Sequence, residues 1–228
     1  VTDSLTVSSV WFRCGSDFYL VANDATGEAM RRAGVPAEKL RVTGFPVPLV
    51  FAEPEPARDG AVFEVLFMVN SAHHLAADVV RALIQIEGIR LTVTVGRDAR
   101  LGRKLAKVAE AAGKGIEIHG WTPEIPNLIR RSHLLISKAG GATVQEALAA
   151  RTPMIITQVV PGQEEGNARL IIESGAGELA TTPTAIADAV RRTFAEGGRL
   201  YRERLAATDA LSHPDAARAA AAFLESLA

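Results

Sequence analysis

From Val62 onward, short apolar runs alternate with amphipathic stretches, and this alternation limits the fold more than any other feature of the sequence. Val62–Val69 reads as a strand, Leu75–Ile86 as a helix carrying Val79, Val80, Leu83 and Ile86 on one face, and Arg90–Val95 as a strand. The pattern continues with a helix over Ala99–Ala112, a strand over Ile116–His119, a short helix over Ile125–Arg131 and a strand over His133–Ser137. A helix opening at about Thr143 and a strand over Met154–Gln158 follow; helices at about Ala185–Ala195, Arg199–Ala210 and Asp215–Leu227 close the chain. Strands alternating with helices at this spacing predict an α/β fold: a doubly wound, Rossmann-like parallel sheet with a C-terminal helical segment.

Upstream, Asp17–Asn23 reads as a strand, Ala25–Ala33 as a helix stopped by Gly34 and Pro36, and Leu40–Thr43 as a second strand. Pro46, Pro48, Pro54 and Pro56 then crowd together with Glu53, Glu55 and Arg58, which is linker chemistry. Hydrophobic residues make up 48% of the chain and aromatics only 5%, so aliphatic side chains must fill the interior, as in helix-covered parallel sheets. A formal net charge of −1 argues against a nucleic-acid binder driven by phosphate neutralisation. The single cysteine, Cys14, excludes an internal disulfide or a cysteine zinc site and suits a reducing, cytoplasmic compartment. No apolar run approaches the roughly 20 residues of a membrane-spanning helix. The chain begins with Val and shows no signal-peptide pattern, so it is expected to be a portion of a longer protein.

The segment Ser137–Asn167, SKAGGATVQEALAARTPMIITQVVPGQEEGN, carries the chemistry. A glycine turn (Gly140, Gly141) feeding a helix through Ala142 and Thr143 presents unpaired N–H groups and the positive end of the helix dipole, which suit a diphosphate. Glycine there also admits a blander role, letting the backbone turn. Glu146, Gln163, Glu164 and Asn167 accept hydrogen bonds from hydroxyls but repel phosphate, so a ligand with both phosphate and sugar fits them together. Each also has a structural explanation, as first-turn helix residues favoured by the dipole.

KAGGATVQEA (Lys138–Ala147) and PGQEEGN (Pro161–Asn167), at this separation, resemble the nucleotide-sugar half of glycosyltransferase family 28, most closely its diacylglycerol glucosyltransferase and monogalactosyldiacylglycerol synthase branch. The resemblance extends to DFYLVANDATGEAMRRAGVPAEKLRVTGFPV (Asp17–Val47) and HGWTPEIPNLI (His119–Ile129). It implies the C-terminal half of a two-domain GT-B fold. Residues 1–46 would be the tail of an acceptor domain that supplies the base, 47–60 a linker, and 61–228 the UDP-sugar-binding domain. By this resemblance the Gly140–Thr143 amides meet the diphosphate, Glu146 the ribose, Gln163 and Glu164 the sugar hydroxyls, and Asn167 a position beside them. Trp121 would cover the uracil, with the Thr122 backbone at its edge; packing of Trp121 under a loop is the competing account. Gly96 and Arg97 end another strand at the same edge, where they could line the base pocket. The implied reaction is an inverting hexosyl transfer from a UDP-sugar to a lipid acceptor such as diacylglycerol, at the inner face of the membrane, with no cofactor beyond the donor. A catalytically incompetent binding module, a UDP-N-acetylglucosamine transferase and a sugar-nucleotide 2-epimerase are alternatives on the same plan.

The first loop of the domain departs from the glycine-rich family pattern: it reads VNSAHH, Val69–His74. His73 could stabilise a departing diphosphate, and His74 stands where the family has glycine. Adjacent histidines point apart, and no carboxylate follows at ligand spacing, so no metal is expected. His119, His133 and His213 read as structural. Arg100, Arg103, Lys104 and Lys107 fall at i, i+3, i+4 and i+7, a solvated basic stripe or a contact for anionic lipid headgroups.

Overall fold

The computed structural model describes residues 5, 10, 12, 13, 15–56, 58, 62–69 and 73–227. Two short parallel strands, β1 (Tyr19–Val21) and β2 (Leu40–Val42), are joined by α1 (Asp24–Arg32), which starts where Asn23 Oδ1 accepts the Thr26 amide at 2.8 Å. The main sheet contains β3 (Phe63–Met68), β4 (Ile89–Thr94), β5 (Glu117–His119), β6 (Leu134–Ser137), β7 (Met154–Ile156) and β8 (Gly177–Leu179). They run parallel in the order β5-β4-β3-β6-β7-β8. The helices between them are α2 (Ala76–Leu83), α3 (Ala99–Ala111), α4 (Ile125–Arg131), α5 (Gly141–Ala149) and α6 (Glu165–Glu173), followed by α7 (Pro183–Asp209) and α8 (Ala216–Glu225).

Side chains alternate across a strand, so each central strand feeds two cores. Val65, Phe67, Leu134, Ile136 and Ile155 enter one core with α2, α3 and α7; Leu66, Leu135, Met154 and Ile156 enter the other with α5 and α6. Full burial of each such side chain contributes roughly 1.5–3 kcal/mol. The doubly wound expectation therefore holds, and its physical cause is strands apolar on both faces.

Several details differ from the sequence reading. The helix after the glycine turn opens at Gly141, ahead of Thr143. PGQEEGN runs into a helix, α6, and β8 follows it. β8 carried no β-branched signal: it is Gly-Glu-Leu, and its glycine is needed because a Cβ on Gly177 would lie 2.0 Å from the Met154 carbonyl oxygen. The proline-rich stretch also packs: Leu49–Ala52 forms a 3-10 turn, and Val47 and Phe51 are buried in the core beneath α4 and α5. The two helices expected at 185–195 and 199–210 are the halves of α7, broken where Glu196, Gly197 and Gly198 take positive φ.

Arg58 ties the stretch to the body. Its guanidinium donates to the carbonyls of Arg130, Ala150 and Arg151, at the C-terminal ends of α4 and α5, where a cation also complements the dipoles. His133 holds Arg58 in turn: Nε2 donates to the Arg58 carbonyl and Nδ1 accepts the Glu64 amide, both at 2.9 Å, which fixes the neutral ring. Burial accordingly lowers the His133 pKa, as its structural role requires. At the other end α8 returns to β2, where Arg41 lies over the Phe18 and Phe223 rings and those rings meet edge-on at 5.1 Å. Arg58→Ala is expected to cost about 2–3 kcal/mol in urea unfolding, since it removes a charged donor from three carbonyls. Arg131→Ala, which removes an exposed ion pair with Glu117, should cost less than about 1 kcal/mol.

Candidate functional site at the sheet crossover

β3 and β6 are neighbours, yet the strands that follow β3 build toward β5 and those that follow β6 build toward β8. The loops leaving their C-terminal ends part, and doubly wound sheets bind ligands in the crevice so formed. On the β3 side, Asn70, Ser71 and Ala72 lie outside the described residues, and His73 is described by its backbone alone, at the start of a short 3-10 turn (His73–Leu75). The leaving-group role expected of His73 therefore falls outside the described side chains; His74 is exposed.

On the β6 side, Gly140 is the N-cap of α5 and no side chain caps it. The Gly141, Ala142 and Thr143 amides have no intrahelical acceptor, the kind of helix start that suits an anion. Gly140 itself is extended (φ −64°, ψ 135°), so the turn does not require glycine; a Cβ there would instead stand 3.1 Å from Lys138 Nζ. Glu146, one turn inside α5, is half-buried, and its carboxylate makes no hydrogen bond or ion pair to the described residues. Desolvation alone pushes its pKa above the ordinary glutamate range.

The loop before α6 closes the crevice. Pro161 and Gly162 (φ 76°) make a turn in which the Gln163 amide donates to the Val160 carbonyl at 3.2 Å. The Gly162 amide donates to Glu165, which holds that carboxyl below its usual range. Gln163 is exposed at the turn, whereas Glu164 is 5% exposed, pairs with Lys138 and accepts the Val160 amide at 3.0 Å. Asn167, 1% exposed, donates to the Ala139 carbonyl at 3.3 Å and holds the glycine turn from behind. Lys138 opens the KAGGATVQEA motif, but the sequence assigns it no role of its own.

Further along the same edge, the Val95 amide donates to the His119 carbonyl at 2.9 Å, and Gly120 approaches the Gly96 carbonyl. Gly96–Arg97 and Trp121–Thr122 thus lie side by side. Gly96 needs its glycine for φ +55°. Trp121 is 68% exposed, so it is not packed under a loop and leaves a ring free for stacking. Thr122 Oγ1 accepts the Glu124 amide at 3.1 Å, fixing the turn into α4. An open cleft of about 780 Å³ runs past Val69, Gly96, Arg97 and Arg100. A larger groove of about 900 Å³ lies between α2 and α3, bordered by Arg81, Arg100, Arg103, Lys104 and Lys107 over Ile84 and Val108. Its lining holds no carboxylate and none of the α5 turn, so the convergent polar groups mark the crevice instead.

A model for the family described as glycosyl transferases group 1 matches residues 64–196, more than half of the chain. The chain belongs to that family. Among curated proteins, the chain is 28% identical over 189 residues to a processive diacylglycerol beta-glucosyltransferase of Bacillus cytotoxicus, covering 77% of this chain and 48% of that protein. It is 26% identical over 214 residues to the enzyme of the same name from Bacillus subtilis, covering 89% and 56%. The chain thus spans about half the length of the curated relatives it matches, and they carry the name of the branch that its motifs resemble. In fold it is similar to the UDP-GlcNAc 2-epimerase of Neisseria meningitidis, solved with UDP-GlcNAc, at a TM-score of 0.67 and 11% identity over 92% of this chain and 61% of that one.

Because the folded state raises the Glu146 pKa, ionised Glu146 destabilises the fold above that raised value, and the cost disappears below the unfolded carboxyl's pKa. Glu146→Gln is expected to raise the melting temperature by about 1–4 °C at pH 7.5, with the difference from wild type shrinking as the pH approaches 4.

Proposed function

We propose that this chain is the donor half of an inverting glycosyltransferase, binding a UDP-sugar whose hexose passes to a lipid acceptor such as diacylglycerol. Glu146 carries the reading. A half-buried carboxylate with no hydrogen bond or ion pair among the described residues is costly, and it lies one turn from an uncapped helix N-terminus at the crossover of the sheet. Ribose hydroxyls that donate to it while the diphosphate occupies the amides would satisfy both groups at once. The exposed Trp121 ring beside Gly96 and Arg97 suits the base, and Gln163 and Glu164 suit the hexose end.

In this proposal residues 1–46 are the tail of the acceptor domain, 47–60 connect it to the donor domain, and 61–228 form that domain. The acceptor hydroxyl, deprotonated by a base outside this chain, attacks the anomeric carbon from the face opposite UDP, and the glycosidic bond to the β-phosphate breaks. The α5 amides are fixed donors aimed at the charge that develops on the leaving diphosphate, an arrangement that can supply several kcal/mol. Among the described residues no helix is long and apolar enough to cross a membrane. Access to a lipid acceptor is proposed to come through peripheral contact with the bilayer. Calorimetry with UDP and ADP tests the site: UDP is expected to bind in preference to ADP, and Glu146→Ala to weaken UDP by about ten- to a hundredfold with the fold retained. Equal affinity in wild type and variant would remove Glu146 from the site.

A further inference from the structure

Given that nucleotide-sugar reading, we propose that the Lys138–Glu164 pair distinguishes the intact donor from the spent nucleotide. The two partners are unequally held. The Glu164 side chain is 7% exposed, with its second oxygen on the Val160 amide and its own amide on the Val160 carbonyl at 3.0 Å; the Lys138 side chain is 30% exposed. The carboxylate is fixed and the ammonium is the member that can move. Gly140 leaves the space in which the ammonium sits on Glu164. Its φ of −64° suits any L residue, but a Cβ would lie 3.1 Å from Nζ and 3.7 Å from Glu164 Oε1. Glycine at this position is a clearance for the ammonium.

A diphosphate on the α5 amides carries more charge than one carboxylate and lies beside the end of β6 from which Lys138 projects. It draws Nζ away from Glu164, since charge-assisted contacts to phosphate are among the stronger hydrogen bonds. Glu164 Oε1 is then buried without its counter-charge, a costly state unless another donor replaces the ammonium. A hexose hydroxyl can do so; UDP alone cannot. The intact donor therefore satisfies both halves of the opened pair, whereas UDP satisfies one. After transfer the pair closes again, and its closure favours release of UDP.

Calorimetry of the chain with UDP, UDP-glucose and UDP-galactose tests this in wild type, Glu164→Gln, Lys138→Met and the double variant. Glutamine keeps an acceptor for the Val160 amide but releases Lys138. Glu164→Gln is expected to tighten UDP by roughly three- to tenfold, because the competent state no longer has to be won from a closed pair. The better of the two UDP-hexoses should change by less than about threefold, since a side-chain amide still meets its hydroxyl. Lys138→Met should weaken UDP about tenfold, and the gain from Glu164→Gln should vanish in the double variant, which leaves no buried charge unpaired. UDP affinity that is unchanged or weakened by Glu164→Gln overturns the proposal; a loss confined to UDP-hexose makes Glu164 a plain sugar ligand. Failure of the wild-type chain to bind any of the three overturns the nucleotide-sugar reading itself, an outcome distinct from binding that ignores these substitutions. Thermal melts of all four proteins identify any variant that loses affinity by unfolding.

Discussion

The hydrogen-bonded pairing of β3 with β6, Val65 to Leu134 through Phe67 to Ile136, is the constraint on which the rest depends. It sets side by side two parallel strands whose following connections diverge, so their C-terminal ends cannot be covered by their own crossovers. A crevice is obligatory there. α5 must start at that crevice because it follows β6, and its unpaired amides face whatever occupies the gap. The burial of Leu66 and Leu135 on one side and of Val65, Phe67, Leu134 and Ile136 on the other holds this pairing in register.

Two carboxylates of the crevice are held in opposite ways. Glu164 is almost fully buried but satisfied, with Lys138 on one oxygen and a backbone amide on the other. Glu146 is less buried and has no hydrogen bond or ion pair among the described residues, and desolvation raises its pKa. A carboxylate of the second kind can meet a ligand directly; one of the first kind can do so only after its counter-ion is drawn away. Glu178 belongs with the first. Arg204 and Arg192 hold it, they lower its pKa, and they fasten β8 to both halves of α7 well outside the crevice.

Much of this was legible in the sequence because the parallel strands are apolar on both faces and the helices on one. The order of elements from Val62 to Ser137, the break in α7 and the family resemblance all follow from local pattern. What escaped depends on contacts distant in sequence. β8 is three residues held by β7, and its glycine answers to the Met154 carbonyl. The proline-rich stretch reads as linker until Arg58 meets the ends of α4 and α5, 72 to 93 residues away. Gly140 looks like a turn glycine but is extended, and its reason is the ammonium of Lys138, which takes its meaning from Glu164, 26 residues on. Asn167 was recognised as polar and near, but only the fold shows it turned inward onto the Ala139 carbonyl.

A crystal structure of this chain with UDP would test the central claim most directly. The account expects the diphosphate on the amides of Gly141–Thr143, the ribose within hydrogen-bonding reach of Glu146 and the base near Trp121. Nucleotide seated instead in the basic groove between α2 and α3, with Glu146 still unpartnered, would contradict it.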